Sequence, residues 1–157
     1  MEKTHWKKNN DSRYISGGDL KSELNGLKPE MLTEIVSFKD SDSFDANSQK
    51  NITITALTLK GCYKPLVLNK TNAKVLAKEF NSDYINDWIG KPFIVYALQD
   101  KRHGYVVRFK KFNPPALVLD SENFIKVKEA YEKGYTIEQI KLKYSLSKDV
   151  ENAIIQN

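Results

Sequence analysis

The sharpest periodicity in the chain is NITITALTL, residues 51–59, where Ile52 and Ile54 alternate with Thr53 and Thr55. A period of two sends successive side chains to opposite faces of an extended chain, so the segment is predicted as a β-strand. MLTEIVSF (31–38), KPLVL (64–68), PFIVYAL (92–98) and YVVRFKKF (105–112) read as four more strands. Pro65 stands near the start of its strand, where a missing N–H is tolerable, and Asn113-Pro114-Pro115 stops the last one. Between the first two strands, KDSDSFDANSQK (39–50) has no apolar period and is expected to be a long mobile loop. QDKRHG (99–104) reads as a hairpin connection ending in Gly104.

Helical spacing appears elsewhere. Ala73, Leu76, Ala77 and Phe80 recur at i, i+3, i+4 and i+7, and Lys70, Lys74 and Lys78 recur four apart on another face. Residues 71–80 are therefore an amphipathic helix, with Asn69 or Thr71 as its N-cap. Nothing between Gly61 and Gly90 is glycine, so the polar run Asn69-Lys70-Thr71-Asn72 starts a helix and does not cradle phosphate. Residues 83–88 suggest a short helical turn, with Trp88 expected in the core. Glu122–Lys133 is helical, Thr136 with Gln139 forms a capping box opening a helix through Tyr144, and Ser147 can cap a last helix. Residues 1–28 are polar and irregular, with a turn at Ser16-Gly17-Gly18, a short helix over Asp19–Leu24, and Trp6 as a stacking group or a tail anchor.

The order is strand, strand, strand, helix, strand, strand. Five short strands must close or pack to hide their edges. The order matches the OB-fold, a five-stranded, partly open barrel, with the helix face of Ala73, Leu76, Ala77 and Phe80 capping one end. Other small barrels and α+β sheets satisfy the same order. The expected architecture is mainly β with a helical extension: an irregular segment (1–28), an OB-like barrel (29–115) and C-terminal helices (116–157).

Composition narrows the class. The chain has 157 residues, 40% hydrophobic and 29% charged, enough for one domain and an appendage. No apolar run approaches the ~18–20 residues of a membrane span, and MEKTHWKKNNDSRY has no apolar stretch like that of a secretory signal. A cytoplasmic protein without membrane contact is expected. Cys62 is the single cysteine and reads as an idle thiol; His5 and His103 stand alone. Carboxylates are scattered, and no nucleophile sits in a recognised motif. The expectation is no catalysis, no metal and no cofactor.

Charge is uneven. Residues 1–91 carry 14 basic and 12 acidic side chains, residues 92–115 carry 5 and 1, and residues 116–157 carry 6 and 7. The basic excess thus falls on the fourth and fifth strands, which favours a polyanion or, more plainly, a solvated strand face. Binding single strands needs cations for phosphates and aromatic faces for bases. Tyr96, Lys101, Arg102, His103, Tyr105, Arg108, Lys110 and Lys111 offer both. If Tyr105, Val107 and Phe109 point inward, Arg108 and Lys110 point outward together, and Tyr96 shares their surface. Lys60, Tyr63 and Lys64, at the turn between the second and third strands, would extend the groove. The ordinary alternatives are strand packing for the tyrosines, and solvation or ion pairing for the cations. The lysine stripe 70, 74, 78 is read as a solvated helix face.

The C-terminal TIEQIKLKYSLSKDVENAI has helix-turn-helix spacing. A duplex reader wants Arg, Asn or Gln at the start of its second helix, yet here that helix begins Lys148-Asp149-Val150-Glu151, whose acids would repel phosphate. A packing pair or a dock for a partner protein fits better.

The run KPLVLNKTNAKVLAKEF (64–80), followed by NDWIGKPFIVYA and a basic strand ending in proline, resembles a family of small phage-encoded proteins with an OB-fold, often described as single-stranded-DNA-binding. The resemblance spans about residues 14–115, is strongest over Lys64–Tyr96, and extends weakly to the C-terminal helices. It implies a role in phage DNA replication or recombination and carries no catalytic motif. One departure is the ending NAIIQN, which lacks the acidic partner-recruiting tail of bacterial single-strand-binding proteins. The expected partners are single-stranded nucleic acid, a replication or recombination protein docked through residues 120–157, and a second copy of the chain. A protein-interaction or structural phage module is the alternative function.

Overall fold

The computed structural model describes residues 13–156, so the readings on His5 and Trp6 lie outside the described residues. The chain divides into two compact units, Met1–Lys111 and Phe112–Asn157.

In the first unit, β1 (Glu30–Asp45), β2 (Lys50–Leu59), β3 (Leu66–Val67), β4 (Pro92–Asp100) and β5 (Gly104–Lys111) form one antiparallel sheet in the order β3-β2-β1-β4-β5. β1 serves two ladders: Glu30–Glu34 pair with β4 and Ile35–Asp45 pair with β2. Val36 is extra where the register steps from Ile35↔Leu59 to Ser37↔Thr58, a β-bulge that bends the strand. The bulge also changes which residues face inward. Thr33 and Ile35 are buried before it, whereas Phe38, paired with buried Leu57, joins the core after it.

The core collects Ile35, Leu57, Leu59, Leu66, Phe93, Val95 and Phe109 from the sheet, Leu76 from α2 (Lys70–Phe80), and Trp88, which is 2% exposed. Phe93 and Phe109 meet at 4.7 Å between ring centroids. Asn69 is the N-cap of α2, its Oδ1 accepting the Asn72 N–H at 2.9 Å. Such a cap is worth about 1 kcal/mol.

β3 and β5 do not pair, so the sheet is not closed into a barrel. The free edge of β5 is satisfied differently. Asn72 of α2 is fully buried; its Nδ2 donates to the Val107 carbonyl at 3.2 Å and its Oδ1 accepts the Phe109 N–H at 3.1 Å. The carboxamide does for β5 what a neighbouring strand's peptide would do. On the β3 side, the Ile15 N–H donates to Pro65 O at 2.9 Å. Gly17, at the start of α1 (Gly17–Lys21), passes so near β5 that a Cβ would sit 2.2 Å from the Tyr105 carbonyl oxygen. Only glycine fits there.

Three expectations need correction. The loop 39–50 is instead the distal half of β1, a four-residue turn and the start of β2. Its residues show no apolar period because this two-stranded arm covers no core, and its sides are joined by polar contacts such as Thr55 Oγ1 to Asp40 Oδ1 at 2.6 Å. Ser16-Gly17-Gly18 is not a turn. Ser16 and Asp19 form a capping box, and the helix starts at Gly17. Polar residues 13–28 also contribute Ile15, Leu20 and Leu27 to the core.

The second unit holds α3 (Glu122–Glu132), α4 (Ile137–Lys141) and α5 (Lys148–Ile155) around Leu117, Phe124, Val127, Ile140, Val150 and Ile154. Ser121, Thr136 and Ser147 cap the three helices, Thr136 in a capping box with Gln139. α4 is shorter than its sequence pattern, ending at Lys141. Lys141 reaches Glu151 at 2.9 Å.

Candidate nucleic-acid interface

Paired residues in an antiparallel ladder share a face. Tyr96 on β4 pairs with Arg108 on β5 and with Glu30 on β1, making one outward row. The neighbouring row is Leu32, Ile94 and Lys110. Inward stand Val95 and Phe109, both buried. Tyr96, Arg108 and Lys110 are therefore brought together, as strand alternation predicts.

The electrostatics of this face are more balanced than the basic sequence implies. Lys110 Nζ lies 2.8 Å from Glu30 Oε2 and 5.1 Å from the centre of the Tyr96 ring. Arg108 Nη1 donates to the Val107 carbonyl at 2.9 Å. Lys60 lies 3.2 Å from Glu34, and Lys111 lies 3.2 Å from Glu79 of α2. Glu30 and Glu34 escape a reading of the sequence because they sit 80 and 26 residues from their lysines. Nothing in the local sequence announces them.

Lys101, Arg102 and His103 form the three-residue tip between β4 and β5, closed by the pair Asp100↔Gly104. Gly104 has φ +73, the left-handed position such a loop requires. Asp100 organises the tip: its Oδ1 accepts the N–H of Arg102 at 2.9 Å and of His103 at 3.0 Å, and meets His103 Nδ1 at 3.0 Å. The Arg102 N–H, then the contacts of His103, hold the Asp100 carboxyl below the usual carboxylate range. The side chains of Lys101 and Arg102 are exposed and make no ion pair among the described residues.

Two candidates stand apart. Tyr105 lies in the inward series with Val107 and Phe109, at its exposed end, with Lys21 Nζ 5.7 Å from its ring centre. It does not share the face of Tyr96. Tyr63, 40% exposed, sits at the β2–β3 turn, where Lys64 Nζ is 5.2 Å from its ring centre. Cys62 is partly buried, and that burial pushes its thiol up from its ordinary range. Among the described residues no cluster of His, Cys, Asp or Glu is arranged to hold a metal, and no helix is long and apolar enough to cross a membrane.

No protein-family model matches the chain, nor does any curated protein or solved structure.

Proposed function

We propose that this chain is a non-catalytic single-stranded-DNA-binding protein whose first unit is a partly open OB-like barrel. The barrel reading is supported by β1 serving two ladders across the Val36 bulge and by α2 falling between β3 and β4. The observation that carries the binding reading is the β4–β5 hairpin. It ends in two exposed cations, Lys101 and Arg102, without an ion pair among the described residues, and presents Tyr96 beside Arg108 on its outward face. The tip captures phosphates electrostatically, and Tyr96 offers a ring to a base once Lys110 turns from Glu30 to the strand. Replication or recombination of phage DNA is the proposed setting, on the strength of the sequence resemblance alone.

A fluorescence titration of the full chain against oligo-dT at several salt concentrations tests this reading. The expected outcome is salt-sensitive binding. In the variant Lys101→Gln/Arg102→Gln the log–log slope should be shallower by about 1.4, at about 0.7 for each phosphate no longer neutralised. No binding by the parent protein at low salt would overturn the reading.

A protein-binding function is the second reading. It is favoured by exposed Leu32 (52%) and Leu98 (43%) on the same outward face. An apolar protein interface there would be nearly indifferent to salt.

A further inference from the structure

We propose that the solvent side of α2 is a second phosphate track, on which Lys70, Lys74 and Lys78 hold successive phosphates of a bound single strand. The proposal rests on the single-strand reading above and adds a surface outside the β4–β5 hairpin.

The three lysines stand at i, i+4 and i+8 and are all exposed. None has a carboxylate partner among the described residues, a condition they share with Lys39, Lys128 and Lys133, but only they line one helix face four residues apart. Lys78 suits the last turn of α2, but the spacing of the three and the place of Lys70 work against the helix. Like charges four apart repel. Lys70 occupies the first helical position, where the exposed N–H groups already make the end positive, and the first turn holds no acid. Elsewhere first turns hold acids: α3 has Glu122, paired with Lys126 at 2.6 Å, and in α5 Asp149 and Glu151 follow Lys148. α2 tolerates the repulsion because Asn69 caps it, Leu76 is buried, and Asn72 ties it to β5. An external polyanion would relieve it.

Geometry selects the partner. Four residues of helix rise about 6 Å, so successive lysines are spaced by about one nucleotide of an extended strand. A lipid surface fits less well. Membrane-seeking helices set apolar side chains beside their lysines, but here Ala73, Val75, Leu76, Ala77 and Phe80 are all committed to the protein core.

The test compares the full chain with Lys70→Gln/Lys74→Gln/Lys78→Gln, in oligo-dT titrations from about 50 to 200 mM salt, with a duplex of equal length in parallel. Glutamine keeps helix propensity near that of lysine, so the variant should melt no lower than the parent. The expected result is a slope for oligo-dT shallower by about 2, at about 0.7 per phosphate. A folded variant with the parental slope would overturn the track, as would a loss seen with duplex alone. If the parent binds no oligo-dT, the functional reading itself falls and the track with it.

Discussion

The two long hairpins of the first unit begin alike and end differently. In each, an aspartate at the end of the leading strand accepts a backbone N–H two residues on: Asp45 from Asn47 at 3.1 Å, and Asp100 from Arg102 at 2.9 Å. Both turns are locally written, as aspartate-led turns are. Their strands are another matter. β4–β5 buries Phe93, Val95 and Phe109 on one face, while the distal β1–β2 arm carries Asp40, Asp42 and Asp45, leaves Phe44 63% exposed, and has no buried residue from Ser37 to Thr55. One hairpin is a wall of the core with a basic tip. The other is an acidic ribbon held by its backbone ladder and a few polar bridges. A hairpin's turn therefore says little about whether its strands belong to the core.

The largest contrast should appear in stability. Phe109→Ala is expected to cost about 3–5 kcal/mol, the usual range for a buried aromatic, whereas Phe44→Ala should change stability by no more than about 0.5 kcal/mol. Urea unfolding of both variants measures this, and equal losses would erase the distinction between wall and ribbon. Next comes local opening. Amides of residues 41–44 and 51–54 should exchange with solvent through partial openings, while those of Val95 and Phe109 should exchange only with global unfolding. Uniform protection of both hairpins would contradict the ribbon description.

The smallest effect is a likeness. The Ser48 hydroxyl and the Asn47 N–H lower the pKa of Asp45, as the Arg102 and His103 N–H groups lower that of Asp100. A carboxyl whose folded value is depressed adds stability above its unfolded value, about 3.9, and that contribution disappears as pH falls through the folded value. Both groups are solvent-exposed, so the effect on overall stability is small. Carboxyl carbon NMR titrations should give both midpoints below about 3.9, and an ordinary midpoint at either site would mean that its turn does not hold these hydrogen bonds in solution.

What was legible in the sequence follows from the same contrast. β4 and β5 were readable because one face is buried and their residues alternate accordingly. The ribbon was not, because a strand without an inside has no reason to alternate. Ile52 and Ile54 do alternate, yet neither enters the core, which β2 reaches through Leu57 and Leu59. The cap and apolar face of α2 were plain, but Asn72 read only as part of the polar run that starts the helix, since its partners in β5 are 35 and 37 residues away. Alternation also brought Tyr96, Arg108 and Lys110 to one face. It gave no sign that β1 would set Glu30 and Glu34 beside Lys110 and Lys60.

The bulge at Val36 makes parity a property of this chain. Upstream of it Met31, Thr33 and Ile35 face inward at every second position; across it the next core residue, Phe38, comes three positions on. Losing this one residue would straighten the strand and keep Phe38 on the face of Ile35, two positions on, whereas losing a second residue there would turn Phe38 out into water; losing a facing pair from the ribbon would merely shorten it. Length change at the root of β1 is thus limited by the facing of Phe38 and by the bend that the extra residue provides, while at the tip it alters length alone, so the acidic ribbon is free to vary its reach.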